Sequence, residues 1–381
     1  MAKTDKHLTM ESRTGTKVVL NGKSYLYFAG TSYFQLHSHP DLIKAANEAT
    51  LQYGIGSATT RAMTGTTPLL ETIEHKLASY FNTEDAVYLP SGYMSSLAGL
   101  LALDAMGLYQ QIFLDDGSHY SLVEGARASG NPVVYFRSRD LEDLESKMKK
   151  HLGPGQRPLV ASDGLFPVMG ILAPIRDYLD LAMKYDGVVW VDDAHGVGIL
   201  GAHGRGSCEA LGIPSNRIYL GATLSKAFGA YGGIIAGTGD FITKVRSGSV
   251  MTGSSSPMNA AVAAGIKGLE MVQDNHNLRK KLWNNARYLR DALEHMGITS
   301  EAVFIPEMHG CIPIFSFAHR DAACMRELHH TLMEQGIYTQ YTSYRGAGSE
   351  GVIRVVVTSS HKKVEMVRFA HSLREAIARL R

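Results

Sequence analysis

Between residues 86 and 237 the chain alternates short apolar runs with longer stretches that mix apolar and polar positions. The runs are Ala86–Leu89, Gln111–Leu114, Val133–Phe136, Pro158–Ser162, Val188–Asp192, Ile218–Gly221 and Ile234–Gly237. Short runs of this kind, apolar at successive positions, predict strands buried on both faces. Among the intervening stretches, Leu141–His151 and Ile175–Tyr185 place their apolar residues at helical spacing. Strands alternating with helices predict an α/β domain, a mainly parallel sheet covered on both faces. Ligands of such sheets bind beyond the carboxyl ends of the strands. Asp192, Asp163 and Ser91 each close or follow a run, so the pattern brings them to that edge.

The flanks read differently. Lys17 to Phe28 is expected to form a β-hairpin around Asn21-Gly22. His39-Pro40 opens a helix through Tyr53, and Tyr53 to Gly65 is a Gly/Ser/Thr-rich loop. Pro68 to Tyr80 is an amphipathic helix with Leu70, Ile73, Leu77 and Tyr80 on one face. Pro257 to Met296 reads as one long helix, its polar middle (Gln273 to Lys281) linking two lobes. Beyond Ile298, strands at Cys311–Phe317 and Val352–Thr358 alternate with helices at Ala322–Gln335 and Lys362–Leu380, an α+β pattern. The expected organisation is an N-terminal segment with the hairpin (1–38), a large domain (39–272) and a small C-terminal domain (273–381).

Composition narrows the class. The 381 residues are 45% hydrophobic and 19% charged, as in an ordinary globular enzyme large enough for two lobes. A net charge of +2, with basic residues scattered, offers no surface for nucleic acid, and Lys147-Met148-Lys149-Lys150 is a solvated helix face. Cys208, Cys311 and Cys324 are too few and too irregularly spaced for a disulfide framework or a zinc site, which suits a reducing cytoplasm. The 16 histidines show no metal-ligand spacing, so no metal is expected. Nothing is apolar for long enough to span a membrane, and Met1 to Ser12 lacks the apolar run of a secretory signal.

Candidate chemistry centres on Lys226, in Thr223-Leu224-Ser225-Lys226-Ala227-Phe228-Gly229, 34 residues after Asp192 in Trp190-Val191-Asp192-Asp193-Ala194-His195-Gly196. A lysine among small residues can lose its proton and join a carbonyl. An aspartate at a strand end can keep a pyridinium nitrogen protonated. Pyridoxal 5'-phosphate (PLP) needs both. Ser91-Gly92-Tyr93, after a strand and before a helix, suits a phosphate, with Thr223 and Ser254-Ser255-Ser256-Pro257 as further hydroxyls. The serine run also reads as a cap for the helix that follows it. His119, after the Gln111–Leu114 strand, can lie against a cofactor ring, and His195 can donate to the cofactor's phenolic oxygen. Arg354, opening the strand Arg354–Val357, is either a rim residue or a fork for a carboxylate.

These motifs, in this order, resemble the α-oxoamine synthase family of fold-type I (aspartate-aminotransferase-like) PLP enzymes. The resemblance runs from about Tyr25 to the C-terminus. It rests on Tyr53-Gly54-Ile55-Gly56-Ser57, Arg61 to Gly65, Ser91-Gly92-Tyr93, Ser118-His119, Asp192 to Gly196, Gly204-Arg205-Gly206-Ser207, Thr223 to Lys226, Ser254 to Pro257, and Arg354 with His361. It implies that Lys226 is the Schiff-base lysine, that Asp192 pairs the pyridine nitrogen, that His195 meets the phenolic oxygen and that His119 stacks on the ring. Ser91, Gly92, Tyr93, Asp163 and Thr223 complete the cofactor pocket. Ser254 and Ser255 reach the phosphate in the neighbouring subunit of a homodimer with shared sites, and Arg354 holds the substrate carboxylate. The implied reaction is the decarboxylative, Claisen-type condensation of a small amino acid with an acyl thioester.

Three segments depart from the family pattern. Thr31-Ser32-Tyr33-Phe34-Gln35 replaces Asn-Asp-Tyr-Leu-Gly, Ser96 replaces an asparagine, and Asp163-Gly164-Leu165-Phe166-Pro167-Val168-Met169-Gly170 replaces Glu-Gly…Ser-Met-Asp-Gly. An aminotransferase or carbon–carbon lyase on the same fold is the rival reading, because fold does not fix reaction. A non-catalytic scaffold is disfavoured by the presence of both Lys226 and Asp192.

Overall fold

The computed structural model describes residues 8–213, 216–298, 304–305, 310–318 and 320–380. The chain opens with β1 (Lys17–Leu20) and β2 (Lys23–Tyr27), then α1 (Pro40–Tyr53) and α2 (Pro68–Phe81). The alternating region follows as β3 (Asp85–Leu89), α3 (Tyr93–Ala105), β4 (Gln111–Asp115), α4 (Tyr120–Ala128), β5 (Val133–Phe136), α5 (Leu141–His151), β6 (Pro158–Asp163), α6 (Ile175–Met183), β7 (Val188–Asp192), α7 (Ser207–Ala210), β8 (Ile218–Thr223) and β9 (Gly233–Gly237). Helices α8 (Gly239–Ser247), α9 (Ser249–Thr252), α10 (Asn259–Asp274) and α11 (His276–His295) lead to the C-terminal lobe. That lobe contains β10 (Phe304–Ile305), β11 (Gly310–Cys311), β12 (Ile314–Phe317), α12 (Ala322–Glu334), β13 (Ile337–Tyr338), β14 (Gln340–Thr342), β15 (Val352–Val356) and α13 (Lys363–Arg379).

The seven expected strands form one sheet in the order β3-β9-β8-β7-β6-β4-β5. It is parallel except for β9, which runs antiparallel to β3 and β8. The exception has a local cause. Residues 224–232 join β8 to β9 with no room for the crossover helix that parallel pairing requires. The sheet is filled on both faces. In β7, Val188 and Trp190 pack on one side with Leu100 and Leu103 of α3, while Val189 and Val191 pack on the other with Tyr178 and Leu179 of α6. Each such side chain, fully buried, is worth roughly 1.5–3 kcal/mol.

The hairpin turns on Asn21-Gly22 as expected, both residues at positive φ (46° and 75°). It does not stand alone, because β13 pairs parallel with β2 and completes its sheet. In the C-terminal lobe β12, β15 and β14 form an antiparallel sheet, packed with α11, α12 and α13 around Phe315, Ile353, Leu332 and Phe369. Two expected elements are divided. The helix from Pro257 to Met296 breaks at Asn275, whose side chain accepts from the Asn277 N–H and starts α11 afresh. The strand from Cys311 to Phe317 is split by Pro313: Gly310–Cys311 pairs with β10 and Ile314–Phe317 with β15.

Candidate active site

The parallel strands deliver their last residues to one edge. Asp163 ends β6, Asp192 ends β7, and the two are register partners. The β8–β9 turn, closed by Leu224 N–H to the Gly232 carbonyl at 2.9 Å, carries Lys226 over the same edge. Lys226 has no ion-pair partner within 4.0 Å among the described residues. Burial pulls its ammonium down to about 8, against the opposing pull of Asp192 and Asp163. The amine therefore loses its proton far more readily than an ordinary lysine, which makes a neutral, nucleophilic fraction available.

Asp192 is fixed from three directions. One oxygen accepts from the Ala194 N–H at 3.1 Å; the other accepts from the Ser96 and Ser121 hydroxyls at 3.4 and 3.3 Å. Ser96, the residue standing where the family has asparagine, thus remains a donor to this carboxylate. Ser121 also binds His119 Nδ1 at 2.7 Å, linking that imidazole to Asp192. His119 caps α4 and donates its own N–H to both oxygens of Asp163, at 3.1 and 3.2 Å. Burial holds the His119 imidazole below its ordinary value; Asp192 opposes the shift and Lys226 adds to it. Burial, then the Asp192 charge, drives the Asp163 carboxyl well above the usual range. Behind them, burial raises Asp193 to about 7, where it accepts from the Ser207 N–H at 2.6 Å.

His195 is buried, which holds it well below its ordinary value and hence neutral. Its Nδ1 is 2.7 Å from the Tyr33 hydroxyl. With Tyr33 donating there, the remaining N–H lies on Nε2. Burial pushes the Tyr33 phenol up to about 12, with Arg354 beside it pulling the other way. Arg354 lies in the middle of β15 rather than opening it, and it is 5% exposed. It donates to the carbonyls of Pro167 (2.5 Å) and Gly30 (3.3 Å) and to Gln340 Oε1 (3.3 Å). Among the described residues no carboxylate pairs with it, and its Nη2 is buried without a partner. Tyr33 is the site residue that sequence reasoning missed. It lies in a segment marked only as a departure, 162 positions from His195. Two residues on, Gln35 adopts the left-handed conformation (φ 59°) at the position where the family has glycine.

The third corner is the start of α3. Its N-cap, Gly92, makes no side-chain cap hydrogen bond; the Tyr93 N–H reaches the Ser91 hydroxyl at 3.2 Å. A Cβ on Gly92 would stand 2.6 Å from Thr223, so only glycine lets this helix end meet β8. Thr223 is turned inward. Its hydroxyl donates to the Gly232 carbonyl at 2.8 Å and accepts from the Ser225 N–H at 3.1 Å and from the Ser225 hydroxyl at 2.8 Å, so the two hydroxyls are joined to each other. Ser254 and Ser255 belong to the loop between α9 and α10. Ser255 bridges Thr60, and the neighbouring Ser256 binds the Thr59 and Gly65 carbonyls. Nor does the serine run cap α10, whose N-cap is Met258.

A depressed lysine, an anchored aspartate one strand away and a helix start flush against β8 suit PLP's aldehyde, ring nitrogen and phosphate. The fold and this site define a fold-type I PLP-dependent enzyme. The profile of the aminotransferase class I and II family matches residues 25–373, and the chain belongs to that family, within its α-oxoamine synthase branch. It is 31% identical over 360 residues to 8-amino-7-oxononanoate synthase of Thermosipho melanesiensis, covering 94% of this chain and 90% of the relative. It is 31% identical over 376 residues to 8-amino-7-oxononanoate synthase 1 of Bacillus velezensis, covering 97% and 93%. Its fold is similar to that of serine palmitoyltransferase from S. paucimobilis, solved with a bound PLP-myriocin aldimine (TM-score 0.89, 24% identity, 98% and 93% covered). No helix among the described residues is long and apolar enough to cross a membrane.

Proposed function

We propose that the protein condenses a small α-amino acid with an acyl thioester, with loss of carbon dioxide, to give an α-amino ketone. Within that chemistry the favoured reaction is that of 8-amino-7-oxononanoate synthase, the name its curated relatives carry. A reaction of the serine palmitoyltransferase or 2-amino-3-ketobutyrate CoA ligase type is the alternative. The observation that carries the reading is Arg354, a buried guanidinium with an unpartnered Nη2 and no paired carboxylate among the described residues. A buried charge without a counter-ion is costly, so the site favours an anion such as the substrate carboxylate.

Bound PLP supplies an electron sink for the charge left on the amino acid's α-carbon. Lys226 would hold the cofactor through its amine, and the same amine would be the base for the substrate's α-proton. Asp192 would hold the cofactor's ring nitrogen protonated, and His195 Nε2–H would donate to its phenolic oxygen. His119 covers the ring and donates toward the acyl carbonyl; Asp163, which accepts its backbone N–H, holds it there. Ser91, Gly92, Tyr93 and Thr223 would surround the phosphate.

The test is a matrix of glycine, alanine and serine against acyl-CoAs, read as carbon dioxide and free thiol. A parallel incubation of alanine with a keto acid tests transamination. Keto-acid turnover with no thiol release would sink the condensation.

Arg354→Ala is expected to weaken amino-acid binding while leaving PLP binding unchanged. Losing a charge-assisted pair costs about 2–4 kcal/mol, or roughly 30- to 1,000-fold in apparent Kd. Spectral titration with each amino acid measures this. An unchanged half-saturation for all three places the carboxylate elsewhere.

The working unit is proposed to be a cytoplasmic homodimer with shared sites. Ser254 and Ser255 lie on a loop bridged to residues 59–65. Ile55, Met63 and Met258, 68%, 77% and 55% exposed, lie on the same joined segments, an apolar face suited to a second copy. Mixing Lys226→Ala chains with Ser254/Ser255 double-alanine chains should restore activity through one intact hybrid site. No restoration, with the two variants shown to associate, removes the sharing.

A further inference from the structure

The loop after β14, residues 343–351, belongs to the C-terminal lobe but docks on the β4–α4 turn that carries His119. Two residues make the join. The Arg345 guanidinium donates to the Ser118 carbonyl at 2.9 Å and to the Asp116 carbonyl at 2.5 Å, and it lies 5.8 and 6.0 Å from the Tyr120 and Tyr135 rings. The Tyr344 hydroxyl accepts from the Tyr120 N–H at 3.3 Å, and its ring stands edge-on to Tyr120 at 4.9 Å.

Tyr344 also faces the chemistry. Its ring centre is 5.8 Å from that of His119, tilted by 38°, while Tyr93 stands edge-on to the same imidazole at 6.2 Å. His119 is therefore bracketed by two phenol rings, one from each lobe. On its other side Tyr344 packs with Val168, Met169 and Ala347 in a small apolar cluster. Val168 and Met169 belong to the segment where the family has Ser-Met-Asp, so an acidic and a hydroxyl group give way to an apolar surface. The carbonyl of Pro167, just before them, accepts from Arg354 Nε. The cluster thus runs from the proposed carboxylate site to His119.

The geometry points to Tyr344 as the residue that sets acyl-chain specificity. Its ring ends an apolar wall with Val168, Met169 and Ala347, and the Arg345 clasp holds it in place. The inference rests on the condensation proposed above and assigns the acyl half of that site. An acyl group whose carbonyl lies at His119 has this apolar cluster beside its first methylenes. The ring limits how long a chain can follow, and the side favours apolar carbons over polar ones. In an apolar pocket one methylene is worth about 10–200-fold in discrimination, so removing a phenol ring changes the profile measurably.

The experiment compares kcat/KM for acetyl-, pimeloyl-, octanoyl- and palmitoyl-CoA in wild type, Tyr344→Phe, Tyr344→Leu and Tyr344→Ala, with PLP absorbance and melting temperature as folding controls. Tyr344→Ala and Tyr344→Leu are expected to raise the palmitoyl-to-octanoyl ratio by roughly tenfold or more, with KM for the amino acid unchanged. Tyr344→Phe keeps the ring and the wild-type ratio. Wild type that turns over acyl-CoA, with an unchanged ratio in both truncations, overturns the inference alone. So does a truncation that moves amino-acid KM and not the chain-length ratio. Wild type that releases no thiol from any acyl-CoA overturns the proposed reaction and the inference with it. Tyr344→Leu decides the matter if Tyr344→Ala does not fold.

Discussion

Lys226→Ala is expected to leave a folded protein with no measurable turnover. Lys226 is the group from which the structure strips water and for which no counter-ion lies within 4.0 Å among the described residues. Its ammonium is pulled down to about 8 by burial, while Asp192 and Asp163 resist. A structural lysine would be expected to show the opposite arrangement, a close carboxylate and a raised value. In the proposed reaction, removing the amine takes away both the attachment of the cofactor and the base for the α-proton. Proton transfer by a positioned group alone contributes about 10²–10⁴-fold, and losing the attachment adds to that. Stability should change little, since the amine forms no ion pair that the mutation would break. Borohydride reduction of wild type loaded with PLP should label the peptide containing Lys226, and the variant should take no label. A label on another peptide, or turnover within tenfold of wild type, would show that a different lysine does this work.

The strands and the two residues at the heart of the site were legible because they are local. A run such as Val188–Asp192 declares its burial by itself, and an aspartate at its end follows from the same reading. The β8–β9 pairing was not legible as antiparallel. It follows from the ten-position step between Thr223 and Gly233, and that loop length is the signal that could have shown it. Asn275 broke a helix that periodicity alone kept whole, although an asparagine between two helical stretches is itself a capping signal.

The rest of the site depends on contacts between distant segments. Tyr33 reaches His195 across 162 positions, and Tyr344 reaches the Tyr120 amide across 224. No periodicity or spacing marks either residue. Arg354 was legible as a candidate, but the case for it lies in what surrounds it, a buried fork with one nitrogen unpartnered. Thr223 shows the reverse. Its position by Lys226 suggested a hydroxyl facing the cofactor, while the turn it sits in claims that hydroxyl for the Gly232 carbonyl.

Asp192→Asn is the sharper test, because it changes charge while preserving shape. The side-chain oxygen that accepts from Ala194 N–H remains, and the new amide group faces the Ser96 and Ser121 hydroxyls, either of which can accept. What disappears is the negative charge proposed to keep the cofactor ring nitrogen protonated, and a neutral ring is a poor electron sink. The expected loss is about 4–5 kcal/mol in activation free energy, or roughly three powers of ten in kcat/KM at ~1.4 kcal/mol per tenfold. Thermal stability should move the other way, if at all. Asp163 is the register partner of Asp192, and the Asp192 charge is one cause of its raised pKa. Removing that charge relieves a like-charge contact in a buried place, so the Asp163 carboxyl should titrate lower and the melting temperature should not fall. Activity and melting temperature measured on one preparation decide between the roles. A variant that keeps wild-type kcat/KM removes Asp192 from the chemistry. One that loses activity only in proportion to a collapsed melting temperature makes it a structural carboxylate.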